Sequence, residues 1–201
     1  MKTMIKTCFI AVAILLGVNA NAQDKPLEFG VKAGVNLSNM TGDINNTDAK
    51  VGFNVGLTMD YALSPDVYLL TGLELTTKGF KYTSSLGKVT LNPMYLQLPV
   101  HVGYKLAVAE GTKVVFHAGP YVAYGIAGKA TVKNDLGKEK ENVFSTGGLK
   151  EFDFGLGIGA GLEFGKIGVG LGWDFGLVNV WDADNVKVKN MNGYLSLGYK
   201  F

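Results

Sequence analysis

Cysteine is almost missing from this chain. The single one, Cys8, sits in the first 22 residues, so everything after them has none. That excludes disulfides, thiolate metal centres and a cysteine nucleophile. Proline is scarce at 5 residues, whereas glycine reaches 28. Only 18% of residues are charged and the net charge is +2, with no basic stripe to suggest nucleic acid. Despite so little charge, no run reaches the roughly 18 apolar residues that a spanning helix needs. A length of 201 residues is one ordinary domain.

Residues 1–22 read as a secretory signal. Lys2 and Lys6 give the positive start, Cys8 to Val18 an apolar run, and Ala20-Asn21-Ala22 a small-residue cleavage site before Gln23. The run is too short and wrongly flanked for a membrane anchor. The expectation is therefore cleavage near Ala22 and an exported domain over 23–201.

After that segment a period of two dominates. Leu27, Phe29, Val31, Ala33, Val35 and Leu37 alternate with Glu28, Gly30, Lys32, Gly34, Asn36 and Ser38. Such alternation predicts an extended strand with two unlike faces. It recurs, predicting eight strands near 27–38, 51–61, 67–79, 94–105, 113–127, 151–164, 167–177 and 188–201. One face of each strand is apolar throughout, for example Leu69, Thr71, Leu73, Leu75 and Thr77, or Leu156, Ile158, Ala160 and Leu162. None of the positions on these faces is charged. The other face is small or polar. Gly155, Gly157, Gly159 and Gly161 line the sixth strand, and Gly168, Gly170, Gly172 and Gly176 the seventh. Its charges are Glu28, Asp60, Glu74, Asp153, Glu163 and Asp174 against Lys32, Lys78, Lys105, Lys113 and Lys200. Near-equal numbers of opposite sign predict pairing in a confined space.

Volume decides which face is outside. Some fifty mostly large side chains exceed the interior of eight strands, which is just wide enough for side chains to fill. Turned outward, they form an apolar band for lipid, and a sheet in hydrocarbon must close on itself. The fold class expected is all-β: an eight-stranded antiparallel transmembrane up-and-down β-barrel behind a cleaved signal peptide. Connections alternate between short (62–66, 106–112, 165–166) and long (39–50, 80–93, 128–150, 178–187), the asymmetry of periplasmic turns and external loops. Aromatics near strand ends, among them Phe29, Tyr61, Tyr104, Phe152, Phe164, Tyr199 and Phe201, suit interfacial girdles. Pro99 and Pro120 fall inside strands that have no edge, which predicts a bulge or an opened ladder there.

The stretches FGVKAGVNLSNMTG (29–42), YLQLPVHVGYK (95–105), GPYVAYGIAGK (119–129), FDFGLGIGAGLEFG (152–165) and GYLSLGYKF (193–201) resemble the small eight-stranded outer-membrane barrels of the OmpA/OmpX-like kind. The resemblance is greatest to the PorT-like "porin family" group. It implies a cell outer-membrane location among membrane lipid. It also implies a final strand, ending in Tyr199 and Phe201, that the barrel-assembly machinery reads during insertion.

Candidate sites are few. His101 and His117 fall on the lumen side of neighbouring strands and, with Glu74, form a conceivable metal or proton-relay group; the plainer expectation is a lumenal hydrogen-bond network and no metal. Gly155 to Ala160 matches a dinucleotide fingerprint in spacing, but no helix follows, so no cofactor is expected. The oxygen-rich segments 43–48 and 181–184 lack the spacing of a calcium loop. The longest loop, 128–150, reads as a mobile solvated tip. No lipid-facing serine joins the histidines, so an embedded lipid hydrolase is the least favoured reading and the protein is expected not to be an enzyme. The favoured role is structural or a surface interaction through loops 39–50, 80–93, 128–150 and 178–187. The alternatives are a narrow pore for ions or small solutes and, from the resemblance alone, an accessory part of a secretion system. The assigned faces also predict that Leu156→Arg costs about 2–4 kcal/mol and that Gly157→Ser costs far less.

Overall fold

The computed structural model describes residues 27–44, 46–84, 87–134, 137–145, 148–181 and 186–201. The expected signal peptide lies outside the described residues, as do Asn45 and residues 182–184 of the oxygen-rich segments. Ten strands are present among the described residues: β1 (Leu27–Gly42), β2 (Thr47–Ala62), β3 (Val67–Thr77), β4 (Phe80–Ser84), β5 (Gly87–Ala109), β6 (Thr112–Asn134), β7 (Gly137–Asn142), β8 (Phe152–Phe164), β9 (Ile167–Gly176) and β10 (Val188–Lys200).

Eight of them close a ring. Each pairs antiparallel with its neighbours in the order β1, β2, β3, β5, β6, β8, β9, β10, and β10 returns to β1. Val35 lies opposite Phe53 on one side and Leu195 on the other, so the first strand has no free edge. Closure gives every strand in the ring two neighbours, which is what a hydrocarbon solvent demands of a sheet. β4 continues β3 past a break at Lys78 and Gly79, and β7 lies against the far end of β6.

The faces follow the sequence period. Along β10, Leu195 and Leu197 are 51% and 62% exposed while Ser196 between them is 8% exposed. Val31, Val35, Phe53, Leu98, Phe116, Leu156, Ile158, Trp173 and Phe175 are likewise exposed, and Asn36, Asn54, Asp60, Glu74, Gln97, Asp153 and Asp174 are buried. This is the inverse of a water-soluble core. Thr77 departs from the expected pattern: it is buried, at the break before β4, where Gly79 adopts a φ of +120°.

Three of the expected loops are mostly strand. Only 43–46 separates β1 from β2. Segment 80–93 forms β4 and the first third of β5. Segment 128–150 is no solvated tip: β6 runs on to Asn134, β7 returns beside it, and Val143 and Leu149 are buried. β5 and β6 have 23 residues each, about twice the 9–11 that cross a membrane. The surplus stands beyond the lipid band at the end with the long connections. The short connections 63–66, 110–111 and 165–166 mark the opposite end, which the asymmetry of such barrels assigns to the periplasm.

The prolines are accommodated without a bulge at their own positions. The β5–β6 pairing keeps one register from Pro99–Tyr121 to Val102–Ala118, with the ladder open between, and the β3–β5 ladder opens between Thr71–Val100 and Glu74–Gln97. The Thr71 hydroxyl donates to the Pro99 carbonyl at 2.6 Å. The register shift comes higher, where Met94 pairs Ala127 and Tyr95 pairs Gly125, leaving Ile126 as the extra residue.

The expectation for Gly157 needs correction. A Cβ there would lie 2.8 Å from His101 Nε2 and 2.9 Å from Asp174 Oδ1, so Gly157→Ser displaces an imidazole. Gly170 is the better comparison, since a Cβ there meets nothing nearer than 3.8 Å. Leu171→Arg, one residue away on the lipid face, is expected to cost about 2–4 kcal/mol, and Gly170→Ser well under half of that. Reversible denaturant unfolding in lipid vesicles measures both; equal costs would contradict the faces.

Candidate functional site: the barrel interior

The lumen is built in layers. Nearest the short turns, Lys105 Nζ is 2.6 Å from Asp60 and 3.1 Å from Glu163, while Lys200 Nζ is 2.7 Å from Asp60, 2.8 Å from Glu163 and 3.1 Å from Glu28. Each lysine thus spans carboxylates from different strands. The Tyr68 ring packs under Lys105 Nζ at 4.3 Å, with Lys113 Nζ at 5.9 Å.

Above this layer is a cavity of about 180 Å³ whose wall includes Leu70, Val115, Gly161, Gly170 and Ser196. Lys32 and Glu74 pair across it at 2.5 Å. His101 and His117 stack with ring centroids 5.0 Å apart and their Nδ1 atoms at 2.9 Å. In the neutral pair one Nδ1 carries the proton and the other accepts it. Gly157 and Gly159 make room for the two rings, because a Cβ at Gly159 would fall 2.4 Å from His117 Nε2. The structure thus brings the two sequence-predicted histidines together. Glu74 is held by Lys32, and among the described residues no three metal-ligating side chains converge. Gln97 Nε2 donates to Asp174 at 3.0 Å.

The next layer is buried. Lys78 Nζ lies 2.9 Å from Asp153 Oδ2, and both side chains are fully buried. The same oxygen accepts from Asn190 Nδ2 at 2.9 Å and from the Tyr121 hydroxyl at 3.3 Å. Lys78 Nζ sits 4.2 Å from the Tyr121 ring centre and 5.4 Å from that of Tyr95, a cation–π cradle made from two buried rings. Glycine is needed opposite: a Cβ at Gly155 would strike the Tyr121 ring at 2.6 Å. Beside this group Asn36 Nδ2 donates to Thr76 Oγ1 at 2.8 Å, and Asn54 Nδ2 donates to Asn36 Oδ1 at 2.6 Å.

An apolar core then closes the end with the long connections. Met40, Phe80, Leu91 and Val188 from four strands meet Val143, Leu149 and Val180 from the connections. Phe144 hangs below and meets Tyr95 edge-on at 5.8 Å. The sequence reading missed this cap because it treated 80–93 and 128–150 as loops. The signal was present: Val89 and Leu91, then Ala130 and Val132, continue the period of two.

A buried pair that loses one partner leaves an uncompensated charge. Asp153→Ala is therefore expected to lower stability by about 3–5 kcal/mol, whereas Lys78→Met combined with Asp153→Leu is expected to cost much less. Guanidinium unfolding of the refolded barrel in detergent separates the two cases, and a double variant as unstable as the single would refute the argument.

Solved structures with the same architecture are similar to the described chain. The attachment invasion locus protein Ail of Yersinia pestis is 20% identical, with a TM-score of 0.45 over 88% of this chain and 100% of its own. Neisserial surface protein A is 14% identical, with a TM-score of 0.48 over 86% and 97%. The outer membrane protein OprG from Pseudomonas aeruginosa is 12% identical, with a TM-score of 0.47 over 88% and 97%. No curated protein matches the chain at a significant level. The family model for the outer membrane protein beta-barrel domain matches residues 20–182, and the chain, an integral outer-membrane β-barrel protein, belongs to that family.

Proposed function

We propose that this barrel is a closed outer-membrane scaffold that acts through its external hairpins and has neither a conducting nor a catalytic role. The observation that carries this reading is the stack of two seals in one half of the lumen. The Lys78–Asp153 pair and its two tyrosines are buried across that layer, and the apolar core lies across the mouth beyond them. An ion entering from the periplasm would reach the cavity and stop. To go further it would have to part a buried ion pair, whose separation exposes both charges to low dielectric. The non-catalytic reading is supported by the histidines: His101 and His117 hydrogen-bond each other through Nδ1, and among the described residues neither ring hydrogen-bonds a hydroxyl.

A narrow pore is the second reading. It is favoured by the cavity and by Gly168 and Gly170, beside which the lumen wall is open. A part in a secretion assembly rests on the family resemblance alone, and a stable complex with periplasmic proteins would be its mark.

Planar-bilayer recording discriminates the first two. The wild type is expected to be silent, and because the seals lie in series openings are expected when Lys78→Ala and Tyr121→Ala are combined with Phe80→Ala and Leu91→Ala in the apolar core. Steady wild-type conductance would defeat the scaffold reading.

A further inference from the structure

The part of the sheet beyond the lipid band carries a surface that the closed lumen does not explain. Leu91 and Ala130 pack into the apolar cap, so the residues alternating with them on β5 and β6 point outward. On that outward face, register places Lys81 opposite Thr90, Thr90 opposite Thr131, and Thr131 opposite Lys140. One step further out Lys88 lies directly opposite Lys133; one step nearer the membrane Asn92 lies opposite Lys129. The face thus holds Lys81, Lys88, Lys129, Lys133 and Lys140, separated by threonine and asparagine. Glu139 and Glu141 of β7 are opposite Val132 and Ala130, on the other face. Among the described residues the single acid bordering the patch is Asp48, opposite Lys81 at its β2 edge. None of the five lysines has an ion-pair partner among the described residues.

We propose that this face binds the phosphate groups of anionic glycolipids in the outer leaflet. Like charges directly opposite on neighbouring strands destabilise a sheet, so the Lys88–Lys133 pair calls for a shared anion. Strands about 4.8 Å apart, with same-face residues roughly 7 Å apart along each, set ammonium groups at spacings that one phosphate bridges. Position selects the source. On β5 the outward series runs without change of phase from the lipid-facing Leu98 and Leu96 through Met94 to Asn92, Thr90 and Lys88. The patch therefore faces sideways from the edge of the lipid band outward, beside the phosphate-bearing headgroup and core region of the outer leaflet, where a soluble polyanion would have to compete with the membrane itself. The inference rests on the proposed external placement of the long hairpins and is independent of whether the lumen conducts.

The test uses the full chain folded into phosphatidylcholine vesicles containing either bisphosphorylated lipid A or its dephosphorylated form, then extracted, with retained lipid A measured by mass spectrometry. Heat-modified electrophoretic mobility verifies that each variant is a folded barrel. The wild type is expected to retain the bisphosphorylated form selectively. Lys88→Gln, Lys129→Gln and Lys133→Gln together are expected to weaken retention roughly a hundredfold, since each lysine near an anionic surface contributes about fivefold. Lys133→Gln alone, expected to lose about fivefold, keeps the test decisive if the triple variant does not fold. Glu139→Gln with Glu141→Gln is expected to change nothing. Equal retention by wild type and lysine variants, retention indifferent to phosphate, or binding of soluble heparin without binding of lipid A would overturn the proposal. Silence or conductance in planar bilayers bears only on the lumen.

Discussion

Hydrocarbon offers no partner to a peptide N–H or C=O, and in this molecule that single deprivation organises everything else. Each unpaired group would cost several kcal/mol, so a sheet that enters lipid survives only by joining its first strand to its last, as β1 joins β10 here. Closure creates an inside, and lipid takes the apolar face. What remains for the inside is the polar face of every strand, enclosed in a space of fixed diameter. The buried charges are a consequence of this geometry. They lie inside because period-two strands have only one other side to offer.

Enclosed charge must be neutralised, and the interior does so by drawing partners from distant strands. Lys78 and Asp153 are 75 residues apart in the chain, on elements that the ladder joins only through β5 and β6, and Lys105 of β5 reaches Asp60 of β2 across β3 and Glu163 of β8 across β6. Glycine supplies the volume. Where a tyrosine or histidine crosses the lumen, the facing strand presents a residue without a Cβ, as Gly155 does to Tyr121 and Gly157 to His101. The glycines that look like a nucleotide fingerprint when read as a motif are the negative relief of these rings.

The fold was legible because one periodicity encodes it. Alternation fixes strand, face and, through the volume argument, the inversion of inside and outside. The juxtaposition of His101 with His117 was legible too, since a short turn between consecutive strands sets their register. Ion-pair identity was less so. The sequence pointed to most of the charges that share the lumen but read Lys50, buried on β2, as loop, and the choice of Asp60 and Glu163 for Lys105 depends on barrel tilt and stagger, which no single strand carries. The apolar cap escaped because polar residues interleave with Val89, Leu91, Ala130 and Val132, and that mixture reads as loop when a strand is expected to stop at the membrane. The lysine face escaped for a related reason: its members are spread over residues 81–140 and become neighbours only once four strands are in register.

The two halves of β6 show how one residue reconciles these demands. Below Ile126, even-numbered side chains such as Phe116, Val122 and Tyr124 face lipid and odd-numbered ones such as His117 and Tyr121 face the lumen. The extra residue at Ile126 shifts the pairing with β5 by one, and above it the assignment is reversed. Since a slip of one residue exchanges the faces of a strand, an unbulged β6 would send Lys129 and Lys133 inward above the Lys78 cradle and turn Ala130 away from the cap. Two further lysines would then enter a space whose carboxylates are already engaged, and the apolar seal would lose part of its floor. The bulge lets a single strand serve lipid and lumen in one phase, then the cap and the outer surface in the other. One backbone position thereby sets both which residues cap the buried plug inside and which form the basic face outside.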